Sequence, residues 1–233
     1  LSKANKFFAY YIDKGGIPYG YNFPRQYLLS NNGTSGTAAF AFAMKENHSG
    51  AKFFSTMCGG AASKVEIGHT GAFFNIMWTG LGANIAGQDL YSAYFKDWTW
   101  KRTLTRKWNG GYVYQRAGGG KGWYGRIGTS SAMALHLCLP YRKLLITGRD
   151  QNKSYWLKHK KAKEVSQILN INYKKKSIHE LIKMCTSDLP VVRCYAASEI
   201  SKRDDDIVDI VQNLLSKSRN EKISACHIIA GMK

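Results

Sequence analysis

The chain has 233 residues, 44% of them hydrophobic, which is enough to bury one large core or two small ones. Its formal net charge is +19, and the excess is local: Lys and Arg outnumber Asp and Glu by 18 to 2 in residues 101–176, against 8 to 5 in 1–100 and 8 to 8 in 177–233. No run of about 18 apolar residues reads as a helical bilayer span. The five cysteines, Cys58, Cys138, Cys185, Cys194 and Cys226, carry neither a zinc spacing nor the pairing of a disulfide framework, and each has the apolar or small neighbours of a buried thiol.

Residues 4–12, with Phe7, Phe8, Tyr10 and Tyr11, read as the end of an aromatic helix that stops at Gly15-Gly16. Prolines and glycines then enforce an aromatic loop through Ile17-Pro18-Tyr19-Gly20-Tyr21. Gly33-Thr34-Ser35-Gly36 opens an apolar helix. The same form, Gly, any residue, Ser or Thr, then a tiny residue, returns at Gly68-His69-Thr70-Gly71 and at Gly128-Thr129-Ser130-Ser131. A hydroxyl there can cap the free N–H groups of a starting helix. Further helices are expected over 50–62, after Gly71 with Phe73, Phe74, Met77 and Trp78, and over 89–107. The Gly-Gly-aromatic loop recurs at Gly110-Gly111-Tyr112-Val113-Tyr114. Gly15-Gly16 falls on Gly110-Gly111, Tyr19 on Tyr114 and Gly33-Thr34-Ser35 on Gly128-Thr129-Ser130, all at an offset of 95, which marks a duplicated unit. With no alternating strand of useful length, the fold class is all-α.

Past Gly148-Arg149-Asp150 the composition turns to Lys, Ile, Leu and Ser. Short amphipathic helices are expected over 177–185, 190–202, 206–217 and 220–231. The organisation read from the sequence is residues 1–149, a basic linker or helix over 150–176, and helical repeats over 177–233.

Residues 1–149 resemble the α/α toroid of terpenoid cyclases and protein prenyltransferases, in which helix pairs ring a central funnel. Gly68-His69-Thr70-Gly71-x-Phe73-Phe74-Asn75 with Trp78, preceded by Asn32-Gly33-x-Ser35-Gly36, looks like a bacterial toroid family with no established function. The acid motif of the squalene-type cyclases and the Asp-x-Cys zinc motif of the prenyltransferases are missing, so neither chemistry carries over. Val192-Arg193-x-x-Ala196-Ala197 resembles the start of a HEAT repeat, implying a short α-solenoid after a partial toroid.

His69 alone exceeds the repeated signature and is the first catalytic candidate, as general acid or base, with Glu66, Tyr19 and Tyr114 beside it. A hydrogen bond to a neighbouring loop is its structural alternative. If the three helix starts converge, Ser35, Thr70 and Ser130 with Asn31, Asn32 and Asn75 form a rim for an anionic group. Taken singly, each hydroxyl reads as a cap. Trp78, Trp108, Tyr112, Trp123 and Arg126 supply stacking surfaces and a cation for sugars or bases, or else plug the spaces between helix pairs.

The reading is a protein that binds an extended anionic ligand such as an acidic polysaccharide, acting on it as a lyase or as a hydrolase that would pair Glu66 with Asp13, Asp89 or Asp97. The alternative is a non-enzymatic scaffold whose basic segment docks an acidic protein partner. Nucleic acid is a third possible partner, and no metal or cofactor is expected. Starting and stopping within helix-like patterns, the chain reads as part of a longer protein, so no compartment follows from its first residue.

Overall fold

One glycine-rich helix organises the first half of the chain. In the computed structural model, which describes residues 2–18, 20, 27–30, 33–65, 73–113, 128–149, 152–203 and 206–232, that helix is α4, Phe73–Ile85. Around it stand α2 (Thr34–Met44), α3 (His48–Gly59) and α7 (Gly128–Cys138). Glycine is what lets them approach. A Cβ on Gly36 would lie 2.0 Å from the Trp78 carbonyl oxygen, one on Gly82 2.7 Å from Gly36 Cα, and one on Gly80 2.4 Å from the His136 ring. Each contact forbids even a methyl group at ordinary van der Waals distance.

The chain enters through α1 (Ser2–Ala9), turns at Asp13 and Gly15, and packs Tyr11, Ile17 and Leu29 beneath α2 and α3. Asn47 caps α3 by accepting from Gly50 N at 3.0 Å. The segment expected to be one helix over 89–107 is two, α5 (Gln88–Asp97) and α6 (Thr99–Thr105). They part at Trp98, which is fully buried against Phe95 and His136. Among the described residues there is no strand; Arg106 and Tyr112 form an isolated antiparallel bridge.

The lysine-rich stretch after Gly148 contributes to the first core. In α8 (His159–Ser166), Ala162 and Val165 are buried in the cluster that holds Phe54, Met57 and Leu90, while its lysines face solvent. Two aspartates of α5 hold it in place: Asp89 accepts from His159 N at 2.8 Å and Asp97 from the Gln167 amide at 2.7 Å. Leu157 N donates to Ala86 O at 2.8 Å, closing the end of α4.

The last four helices are α9 (Ile178–Met184), α10 (Pro190–Ile200), α11 (Ile207–Leu215) and α12 (Arg219–Gly231). They surround a separate core of Leu181, Ala196, Ile200, Leu214, Ala225 and Ile228. The all-α fold read from the sequence is what the structure shows. Cys58 and Cys185 are buried as expected, but Cys138 and Cys226 are exposed and Cys194 is half-buried; all five are free thiols. Their neighbours in sequence lie on other helix faces, so local composition does not report their burial.

Candidate functional site

The repeated signature can be followed at its first and third copies. At the first, α2 begins at Thr34 behind Gly33, whose left-handed φ of 73° suits glycine. Neither hydroxyl caps the helix. Thr34 donates to Ile17 O at 2.8 Å, and Ser35 Oγ is buried without a hydrogen-bond partner among the described residues. At the third copy, Ser130 Oγ accepts from Tyr112 N at 2.9 Å, and Thr129 Oγ1 is the buried hydroxyl without a partner among those residues. Ile17 and Tyr112 are themselves 95 residues apart. In each unit one signature hydroxyl ties the helix start to the same point of the Gly-Gly loop, with the Thr and Ser positions exchanging roles. Gly15 and Gly110, the loop glycines at that offset, both have positive φ, 140° and 83°.

Asn75, expected to face a ligand, is buried inside this architecture. Its Oδ1 accepts from Gly33 N at 3.2 Å and from Thr79 Oγ1 at 2.8 Å, and its Nδ2 donates to Lys64 O at 3.2 Å. Thr79 in turn meets Ser30 Oγ at 3.1 Å. A buried amide wired to backbone at both ends fixes α4 against α2; its geometry serves packing. Trp78 is clasped by Gly33 and Gly36 and, with Tyr112, packs on a further apolar cluster that includes Val65, Ile76, Leu81, Trp98 and Met133. Trp108 is 98% exposed on its turn, whereas Trp78 and Tyr112 are half-buried. His69, Glu66, Tyr19, Tyr114, Asn31, Asn32, Thr70, Trp123 and Arg126 lie outside the described residues. Asp89 and Asp97, considered as partners for Glu66, are occupied in holding α8.

A histidine that the sequence does not single out sits in the same frame. His136 of α7 is fully buried between Trp98, Phe95 and Gly80, and its Nε2 lies 3.1 Å from Met77 O. A carbonyl only accepts, so Nε2 carries the proton. Burial pushes its pKa down to about 4, and the Met77 and Ile76 carbonyls oppose that only partly. Locked and neutral, it is a structural side chain.

The polar residues that do converge on open space lie elsewhere. A cavity of about 490 Å³ opens between the α2–α3 turn and the segment after α7, lined by Ala43, Met44, Glu46, His48, Leu145, Arg149, Asn152 and Tyr155. Its size is that of a small-molecule site. Glu46 stands just past the end of α2 with φ 57°, a left-handed conformation usually left to glycine or asparagine. Holding a carboxylate there costs about 1 kcal/mol. His48 opens α3, and its ring lies 5.8 Å from that of Tyr155. Tyr155 is buried, which raises its phenol pKa against the pull of the Arg142 guanidinium. Asn152 accepts from Ser154 N through Oδ1, leaving its amide hydrogens for other acceptors. Behind Tyr155, Arg142 donates to Asn84 O at 2.8 Å and lies 4.2 Å from the Trp156 ring centroid.

These groups come from stretches about one hundred residues apart, so no local spacing advertised them. The available signal was the turn Glu46-Asn47-His48, three polar residues at a helix junction.

Residues 1–148 match a family described as a domain of unknown function, DUF6288. The chain belongs to that family. The matched region holds α1 to α7 and the Glu46–His48 wall, while Arg149, Asn152 and Tyr155 of the opposite wall follow it directly. No curated protein and no solved structure matches the chain.

Proposed function

We propose that this DUF6288 domain binds an anionic, hydroxyl-bearing ligand, a uronate unit of an acidic polysaccharide being the best fit, in the cavity between Glu46 and Arg149. The observation that carries the reading is that one carboxylate, one imidazole, one guanidinium, one amide and one phenol line a single cavity. Arg149 would pair with the ligand carboxylate, and Asn152 and Tyr155 would hold its hydroxyls. Glu46 and His48 supply the acid and base groups that removal of a proton beside a carboxylate requires. Hydrolysis by paired carboxylates is less well served, because Glu46 is the one carboxylate lining the cavity among the described residues. The proposal keeps the α/α-toroid reading for the helices around α4, supported by the duplicated loop-to-helix ties, and the HEAT-like reading for α9 to α12.

The test is titration of the full chain with oligogalacturonate and with its neutral methyl ester, followed at 235 nm for unsaturated products. Binding of the acid form alone is expected, weakened about tenfold or more by Arg149→Met, since removing a charge partner costs about 1.5–3 kcal/mol. His48→Ala should abolish any absorbance gain. Equal affinity for both forms, or no effect of Arg149→Met, would overturn the reading.

A scaffold role is the second reading. It is favoured by exposed apolar side chains on the last two helices, among them Val208, Leu215 and Ile229, where a further repeat or partner would stack. In that case the cavity variants leave partner recovery unchanged.

A further inference from the structure

A second recess lies outside the family-matched region and shares no residue with the first. It measures about 420 Å³ and runs between residues 170–174 and one face of α10. The α10 side is a stripe of Tyr195, Ser198 and Glu199, spaced i, i+3 and i+4, continued by Lys202 in the turn just past the end of the helix. The opposite wall presents Tyr173 and Lys174 on a segment whose backbone is extended at Ile171 and Lys176.

The two walls are fixed to one another. Arg203 donates to the carbonyls of Tyr173 and Lys174, each at 3.3 Å, and the Tyr173 and Tyr195 rings lie 5.5 Å apart. Arg203 also lies 3.5 Å from Glu199, so the carboxylate that lines the recess among the described residues already has a cation. What remains is a rigid groove with an aromatic floor, Tyr195 being 40% exposed, and two exposed lysines, Lys174 and Lys202. Rigid walls lower the ordering cost of binding.

We propose that this groove docks a short acidic peptide segment of a partner protein, with carboxylates on Lys174 and Lys202 and an apolar side chain against the Tyr173–Tyr195 pair. A nucleic acid is the poorer occupant. A phosphate backbone draws its affinity from many cations along a track, and here two lysines share a short recess with Glu199.

The experiment is isothermal titration of the full chain with a peptide of alternating glutamate and phenylalanine. Saturable binding is expected, and Lys174→Glu combined with Lys202→Glu should weaken it about tenfold or more, as should Tyr195→Ala. Lys160→Glu with Lys161→Glu changes the same net charge on α8, away from the groove, and should shift affinity less than about twofold. All four lysines are exposed, so these variants test binding on a folded chain, as circular dichroism would verify. Absence of saturable binding, equal loss from the α8 pair, or displacement of the peptide by an equally charged single-stranded oligonucleotide would overturn the proposal. None of these outcomes bears on the Glu46–Arg149 cavity.

Discussion

His136 shows how a single side chain can look functional and be architectural. The imidazole is held neutral, so the unfolded chain, with its ordinary histidine pKa of 6.5, takes up a proton that the fold refuses until about pH 4. A depressed cationic pKa means the stability contribution is complete above pH 6.5 and is lost as pH falls from about 6.5 towards 4, a total on the order of 3 kcal/mol. Urea unfolding of the chain and of His136→Gln across that window should show the variant less stable at pH 7 and less steeply pH-dependent below it. Parallel curves would mean the ring is not buried neutral. Legibility at this scale was uneven. The signature hydroxyls read as caps because Gly-x-Ser/Thr before an apolar run is what a capped start looks like. Instead Thr34 and Ser130 spend their hydrogen bonds on Ile17 and Tyr112, partners the sequence does not place nearby.

At the scale of elements, the C-terminal helices were legible because their ends are written locally. Ser177 and Glu180 form a reciprocal capping box, as do Ser218 and Glu221; Pro190 starts α10 and Asp206 caps α11. The break between α5 and α6 was not, because the apolar spacing runs on through Trp98 and only tertiary burial stops the helix there. Close packing along α4 yields a sharp prediction. Gly36→Ala should destabilise the chain by about 1–3 kcal/mol or more, since its new methyl meets the rigid Trp78 carbonyl. Gly110→Ala, with nothing within 4 Å but a φ of 83°, should cost only the backbone strain of about 1–2 kcal/mol. Thermal unfolding of the two variants side by side would test this ranking, and a reversed order would contradict the packing described around α4.

Over the whole molecule, Arg193 joins the two ends. Buried in α10, it donates to Ser187 O and, at 3.0 Å, to Asp13 O, so a C-terminal helix is anchored on the loop that follows α1. Arg193→Met strips both carbonyls of a charged donor and should cost about 2–3 kcal/mol. Hydrogen exchange in α9 to α12 should then quicken more than in α2 to α5, because the separate core around Leu181 and Ile228 loses a polar tie to the first half that works beside the packing of Val191 and Val192 on the first core. Uniform acceleration would mean a single cooperative unit instead. The composition change after Gly148 was visible in the sequence, but that Ala162 and Val165 complete the first core was not, since a lysine-rich stretch with two small apolar positions looks solvated from end to end.

The docking of α8 on α5 carries an evolutionary consequence. The family match ends at residue 148, whereas the surface formed by Leu90, Met57 and Phe54 is covered by side chains from 155 to 168. Any relative that lacks a comparable extension must roof that greasy face in some other way, with an inserted helix, a foreign subunit or smaller and more polar side chains. Asp89 and Asp97, which clamp the roof here, are the positions where such relatives should diverge first.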